Sequence, residues 1–237
     1  MEGTTKGNIT TIVYYCQLEK DIMKQNYALQ FRFQNWWKRG GFRGNPLPVY
    51  RVIERRYSES HRSYHTLGHL LYCLDQFDLI WRKMQNPLAV EGALWFHDIV
   101  YDPRRGDNEK RSADLMQKLL AGTGASCAFV GVMSRMIHLT KHVKVIRNRD
   151  TRILLDIDIS VLGASQIDFD RYDAGIRFEY GFVPEEAYCI GRAQILRMFL
   201  FRSEIFHTPF FRRACEWQAS RNLQASLVNL ESRRRPL

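Results

Sequence analysis

Cysteine is scarce and scattered in this sequence. Its five cysteines (Cys16, Cys73, Cys127, Cys189 and Cys215) form no CxxC pair, and none stands at zinc-finger spacing from a histidine. That excludes a disulfide scaffold and a thiolate zinc module, and it points to buried free thiols in a reducing compartment. No window approaches 18 consecutive apolar residues, so no membrane-spanning helix and no membrane partner are expected. The N-terminus lacks a basic region followed by an apolar stretch, so no secretory signal is expected and the cytoplasm is the default location. The phosphate-cradling GxxxxGK[ST] loop does not occur, and neither does an RNA-recognition aromatic motif. Strand signals are weak: HVKVI (142–146) alternates, but it is short. Lysine is sparse too, with 9 against 26 arginines.

What remains is a globular composition. The 237 residues are 45% hydrophobic and 25% charged, enough to bury a large core without staples. A disordered chain and a collagen-like fibre are excluded. The formal net charge is +10, carried mostly by arginine, which matches phosphate and carboxylate bidentately. Charge alone does not separate nucleic acid, nucleotide and membrane surface. The apolar pattern is helical throughout. Leu67, Leu70, Leu71, Leu74 and Phe77 recur three and four apart, which predicts a helix over 64–84. Further helices are expected at 12–38, 49–57, 87–100, 109–121, 125–142, 150–162, 168–180, 185–203 and 208–230. Gly- and Pro-rich breaks such as RGGFRGNPLP (39–48) separate them. The reading is all-α: a flexible tail (1–10), an N-terminal helical extension (11–45), one helical-bundle domain (46–232) and a basic tail (233–237).

Three segments carry chemistry. In YHTLGH (64–69), His65 and His69 stand at i and i+4, a spacing that stacks both imidazoles on one helical face. Thr66 occupies the place of the glutamate in a zinc-protease HExxH, so this is not that motif. In WFHDIVYD (95–102), His97 and Asp98 interrupt an apolar run, where a charge is costly unless paired or metal-bound. In LLDIDISVLG (154–163), Asp156 and Asp158 are embedded in leucine and isoleucine. Imidazole and carboxylate without thiolate suit Mn, Fe, Zn, Ni or Mg. A structural zinc site usually closes its shell with protein donors, whereas a mixed N/O site with open positions is a catalytic arrangement.

The ordered segments SYHTLGHLLYCLDQF, ALWFHDIVYDP, DNEKRSA, LLDIDISVLGA, IRFEYGFV and GRAQILRMFLFRSEIFHT resemble the predicted metal-dependent phosphohydrolases of the HD-domain superfamily, over roughly residues 46–230. The resemblance implies a single HD-like helical bundle with one or two divalent metal ions. It makes His69, His97, Asp98 and Asp158 the metal ligands, with Asp158 preferred to Asp156 because ISVLG follows it. His65 matches the histidine that protonates the leaving group in related cyclic nucleotide phosphodiesterases, although Thr66 replaces the asparagine of that pattern. His138 and His142 form another i, i+4 pair. Histidines in that interval bind a second metal in some HD enzymes, and His142 fits the family pattern better. Glu109 is a candidate for orienting the attacking water, alongside Asp98 in the catalytic set. Helix capping by Asp107 or Asn108, with Glu109 in the first turn, is the alternative. Among the arginines, Arg62 and Arg192 are the first candidates for substrate phosphate, ahead of Arg177, Arg197 and Arg202.

The expected activity is hydrolysis of a phosphoester or phosphoanhydride in a small, nucleotide-like substrate. Nucleic acid is not an expected partner, and a homodimer is left open. Two alternatives stand beside it: a non-catalytic helical module that binds metal or nucleotide, and a di-iron oxygenase on the same scaffold that would recruit His138 and His142.

Overall fold

The computed structural model describes residues 25–141 and 146–233. Among them every regular element is helical, as the apolar periodicity predicts. The helices are α1 (25–39), α2 (Leu47–Tyr57), α3 (Leu67–Ile80), α4 (Pro87–Phe96), α5 (Asn108–Leu120), α6 (Cys127–Leu139), α7 (Arg149–Ile159), α8 (Gln166–Glu179), α9 (Glu185–Leu200) and α10 (Pro209–Ser232). Short 3-10 turns extend α3 and α7. The strand candidate HVKVI falls mostly on 142–145, outside the described residues.

Side-chain caps set several helix starts. Asn86 accepts from the amide of Ala89 and Pro87 occupies the first turn of α4; Ser126, Asn148 and Ser165 cap α6, α7 and α8 in the same way. Thr66 caps α3. His65 therefore lies ahead of α3 rather than within it, so the two histidines do not share a helical face, yet their rings still meet edge-on with centroids 5.8 Å apart. Likewise α4 ends at Phe96, short of the expected Val100, so His97 and Asp98 stand in the turn beyond it.

Helix α4 is the centre of the bundle. Every residue from Ala89 to Phe96 is buried, and α4 packs against α3, α5, α6 and α7. Gly92 permits the closest of these approaches, because a Cβ there would come within 2.6 Å of the Trp36 ring and 2.9 Å of Met133. Helix α1 completes the same core. Leu29, Phe33 and Trp36 are fully buried, and Phe33 meets Trp95 edge-on with ring centroids 5.2 Å apart. Arg32 and Arg39 of α1 pair with Glu91, a carboxylate buried in α4. The described part of the expected N-terminal extension is thus an integral wall of the domain. Phe33→Ala should cost about 3–5 kcal/mol through the cavity it leaves. Thermal denaturation should show a Tm drop of at least about 6 °C, and a drop below about 2 °C would make α1 peripheral.

Candidate metal centre

Three elements converge on one point. The first turn of α3 delivers His69, the turn after α4 delivers His97 and Asp98, and the last turn of α7 delivers Asp158. His69 Nε2 lies 3.2 Å from His97 Nε2. Asp158 Oδ1 is 3.4 Å from both nitrogens. Asp98 Oδ2 is 3.1 Å from His97 Nε2 and 3.8 Å from His69 Nε2. Donor atoms each about 2.1 Å from one ion stand about 3.0–3.5 Å apart, so the separations among His69, His97 and Asp158 fit a shared cation, while Asp98 meets that range only from His97. The structure thus brings together the four residues that the resemblance implies, although the tightest group of possible donors has Cys73 in place of Asp98.

The protonation pattern suits the same reading. His97 Nδ1 donates to the Leu94 carbonyl at 2.8 Å, which turns Nε2 to the cluster, where a cation would take the place of a proton. Burial works against ionisation of Asp98, yet the adjacent His97 holds its pKa below the usual carboxylate range. Burial pulls His69 down, with the neighbouring His97 adding to it and Asp158 opposing. His97 is also buried, but Asp98 outweighs that and drives it well above the usual imidazole value. Two carboxylates confined with two imidazoles need a compensating positive charge, which a divalent cation supplies without relying on protons.

Cys73 was read from sequence only as a buried thiol. One turn after His69, its sulfur lies 3.6 Å from His69 Nε2, and it joins His69, His97 and Asp158 in a buried group able to hold a metal ion. Burial pushes this thiol well above its ordinary pKa. Cys73 faces the core, whereas Asp98 faces a cleft.

That cleft, of about 470 Å³, is lined by Tyr64, His65, Asp98, Glu109, Lys141 and Asp158 among others. Glu109 sits in the first turn of α5 and makes no hydrogen bond among the described residues. Asp107 is the N-cap position but spends its carboxylate on Arg105 rather than on the helix. The Tyr64 hydroxyl, buried in the cleft wall, has no hydrogen-bond partner among them either. His65 stands at the cleft edge, with Nε2 3.9 Å from Asp98 Oδ2.

Glu179 is the residue at the cleft edge that the sequence does not single out. Its Oε1 accepts from the backbone amides of Ser63, Tyr64 and His65 at 2.8–2.9 Å, and its Oε2 from His65 Nδ1 at 2.7 Å and the Tyr101 hydroxyl at 2.9 Å. Burial opposes its charge, but these hydrogen bonds hold its pKa at about 2, so it stays ionised. Tyr101 also stacks on the His65 ring at 4.0 Å. The available signal was a lone glutamate among the aromatics of IRFEYGF.

Other expectations need correction. Arg62 is wholly buried and donates to Glu59 and to the carbonyls of His65, Asp98 and Ile99. Every donor of its guanidinium is occupied, so it ties the His65 loop to the Asp98 turn and has none left for phosphate. Arg192 is buried against Asp173 at 2.8 Å with its guanidinium over Tyr172, bracing α9 on α8; it does not line the metal cleft, but it lines the adjoining pocket walled by Tyr101, Tyr172, Tyr180 and Tyr188. Arg177 and Arg197 pair with Glu185 and Glu231, and Arg202 lies over the Phe199 ring. His138 is exposed and outside the cleft, so it offers nothing to a second metal or to the oxygenase alternative. His142 lies outside the described residues.

Asp156 turns away from the centre. Its carboxylate accepts from the amides of His207 and Thr208 and from the Thr208 hydroxyl, closing the start of α10. Burial pushes its pKa up to about 6 against those bonds. No helix among the described residues is long and apolar enough to cross a membrane. Family models, curated proteins and solved structures return no match to this chain.

The two neighbouring aspartates should separate cleanly. Asp158→Ala should lose bound divalent metal, measured by elemental analysis. Asp156→Ala should keep it while losing about 2 kcal/mol of stability. The reverse pattern would exchange their roles.

Proposed function

We propose that this protein is a metal-dependent phosphohydrolase, acting on a phosphoester or phosphoanhydride of a small nucleotide-like molecule. The observation that carries the reading is the convergence of His69, His97, Asp98 and Asp158 on the floor of an open cleft, with an oriented histidine at its edge. Asp98 is the fourth ligand in preference to Cys73, because it is the ionised donor that faces the cleft. A divalent ion held by these four residues would supply Lewis-acid polarisation of a phosphoryl oxygen and a bound water acidic enough to ionise near neutral pH.

The chain's own groups do the rest. Glu179 accepts the Nδ1 proton of His65, which fixes the imidazole and leaves Nε2 toward the cleft. With the ring protonated at both nitrogens, Nε2 gives its proton to the departing oxygen, leaving a neutral imidazole whose Nδ1–H stays bonded to Glu179. Tyr101 keeps the ring in plane by stacking and holds Glu179 by its hydroxyl. Glu109, unpaired on the cleft wall, accepts a hydrogen bond from the attacking water. Lys141, whose ammonium is anchored on the Gly106 carbonyl, places positive charge at the rim for the phosphate. Beyond His65 the cleft continues into a pocket of about 580 Å³ walled by Tyr101, Tyr172, Tyr180 and Tyr188, which suits the planar group of a nucleotide.

The test is phosphate release from nucleoside mono- and triphosphates, cyclic nucleotides and p-nitrophenyl phosphate, with the protein loaded in turn with Mn, Fe, Zn, Ni and Mg. Chelation should abolish turnover. Asp98→Ala should abolish both metal and turnover, whereas Cys73→Ala keeps both. His65→Ala should lower kcat by about 10²–10⁴-fold with metal content unchanged, and Glu179→Gln should lower it less. Metal-replete protein silent on every substrate would instead favour the non-catalytic module.

A further inference from the structure

Helix α7 has a second charged end. Asp158 lies at its C-terminal end in the metal centre. At its other end, about 13 Å away along the axis, Arg149 and Arg152 open onto a groove of about 430 Å³. Lys83, Arg147 and Arg213 line the same groove, with Ile80, Ile153 and Phe210 contributing apolar surface. No aspartate or glutamate is in the lining.

Many of the chain's arginines outside this groove are neutralised by an acid. Arg32, Arg39, Arg56, Arg62, Arg105, Arg171, Arg177, Arg192, Arg197, Arg212 and Arg233 each reach a carboxylate. Among the described residues no ion pair reaches Lys83, Arg147, Arg149 or Arg213. Arg152 donates to the His207 carbonyl. The acids closest in sequence are already committed: Asp150 accepts from the amides of Gln85 and Asn86, and Asp156 from the start of α10. Five cations around one concavity repel one another, a cost that an opposing anion relieves. The starts of α7 and α10 border the groove and add their partial positive charge.

We propose that this groove is an anion site separate from the metal centre, and that its ligand is a compact oligophosphate. Four unpaired cations call for several negative charges on one small molecule. The concave shape, with Ile153 and Phe210 in its lining, favours a small ligand over the flat track of a nucleic-acid backbone or a membrane surface. Arginine forks at Arg147, Arg149 and Arg213 match phosphate oxygens bidentately. Binding here needs no catalytic activity, so it stands whether or not the chain is a phosphohydrolase.

The test uses inorganic tripolyphosphate titrated into the full chain by isothermal titration calorimetry at low salt. In metal-stripped protein one ion per chain should bind, with affinity falling as sodium chloride is raised. The double variant Arg149→Gln/Arg213→Gln should bind at least about tenfold more weakly, a loss of about 1.4 kcal/mol, while its Tm stays at or above that of the parent. Both side chains are exposed and without ion-pair partners, so folding is not at stake. Binding should persist in Asp98→Ala and in metal-stripped wild-type protein. No binding would overturn the proposal, as would undiminished affinity in the double variant or dependence on the metal. A single-stranded RNA 20-mer or anionic vesicles binding where tripolyphosphate does not would overturn it too.

Discussion

Two imidazoles stand 3.2 Å apart at the meeting of α3, α4 and α7, and each has the carboxylates of Asp98 and Asp158 within 3.1–3.8 Å. Such a cluster is stable only when its charges are balanced and its geometry is imposed from outside. The core imposes it. Helix α4, buried on every side, runs into the bundle and stops at Phe96, so that its next two residues, His97 and Asp98, emerge at the cleft floor. Trp36 and Phe33 wedge α4 from behind, and the carbonyl of Leu94 sets the tautomer of His97.

Around that cluster a second layer governs the cleft edge. Glu179 joins α8 to the 63–65 loop through three amides, then grips the His65 ring. Arg62 fastens the other side of the same loop to the carbonyls of Asp98 and Ile99. One buried anion and one buried cation thus hold His65 against the turn that carries His97 and Asp98. Both are costly to bury and both are fully bonded, which makes the loop rigid rather than adaptable.

The fold was largely legible in the sequence because its helices are long, amphipathic and separated by glycine, proline and capping residues. The four clustered donors were legible because charges in apolar runs stand out, and because their order resembles a known superfamily. Three features were not. Helix ends were overrun at α4, since apolar periodicity continues through Ile99 and Val100 after the helix has stopped. The partners of Arg62, Arg192 and Glu179 lie up to 116 residues away, and a pattern read along the chain does not show which charges are already neutralised. Asp156 and Asp158, alike in local context, differ only in which element meets them: the start of α10 for one, α3 and α4 for the other. Helix α1 belongs to the core for a comparable reason, because its aromatic face is satisfied by residues of α4 some 60 positions on.

The most direct measurement is an anomalous-scattering map from crystals grown with manganese. One dominant peak within about 2.5 Å of His69 Nε2, His97 Nε2 and carboxylate oxygens of Asp98 and Asp158 is the expected result. A map with no peak between these four residues, or with metal bound through Cys73 and away from Asp98, would contradict it.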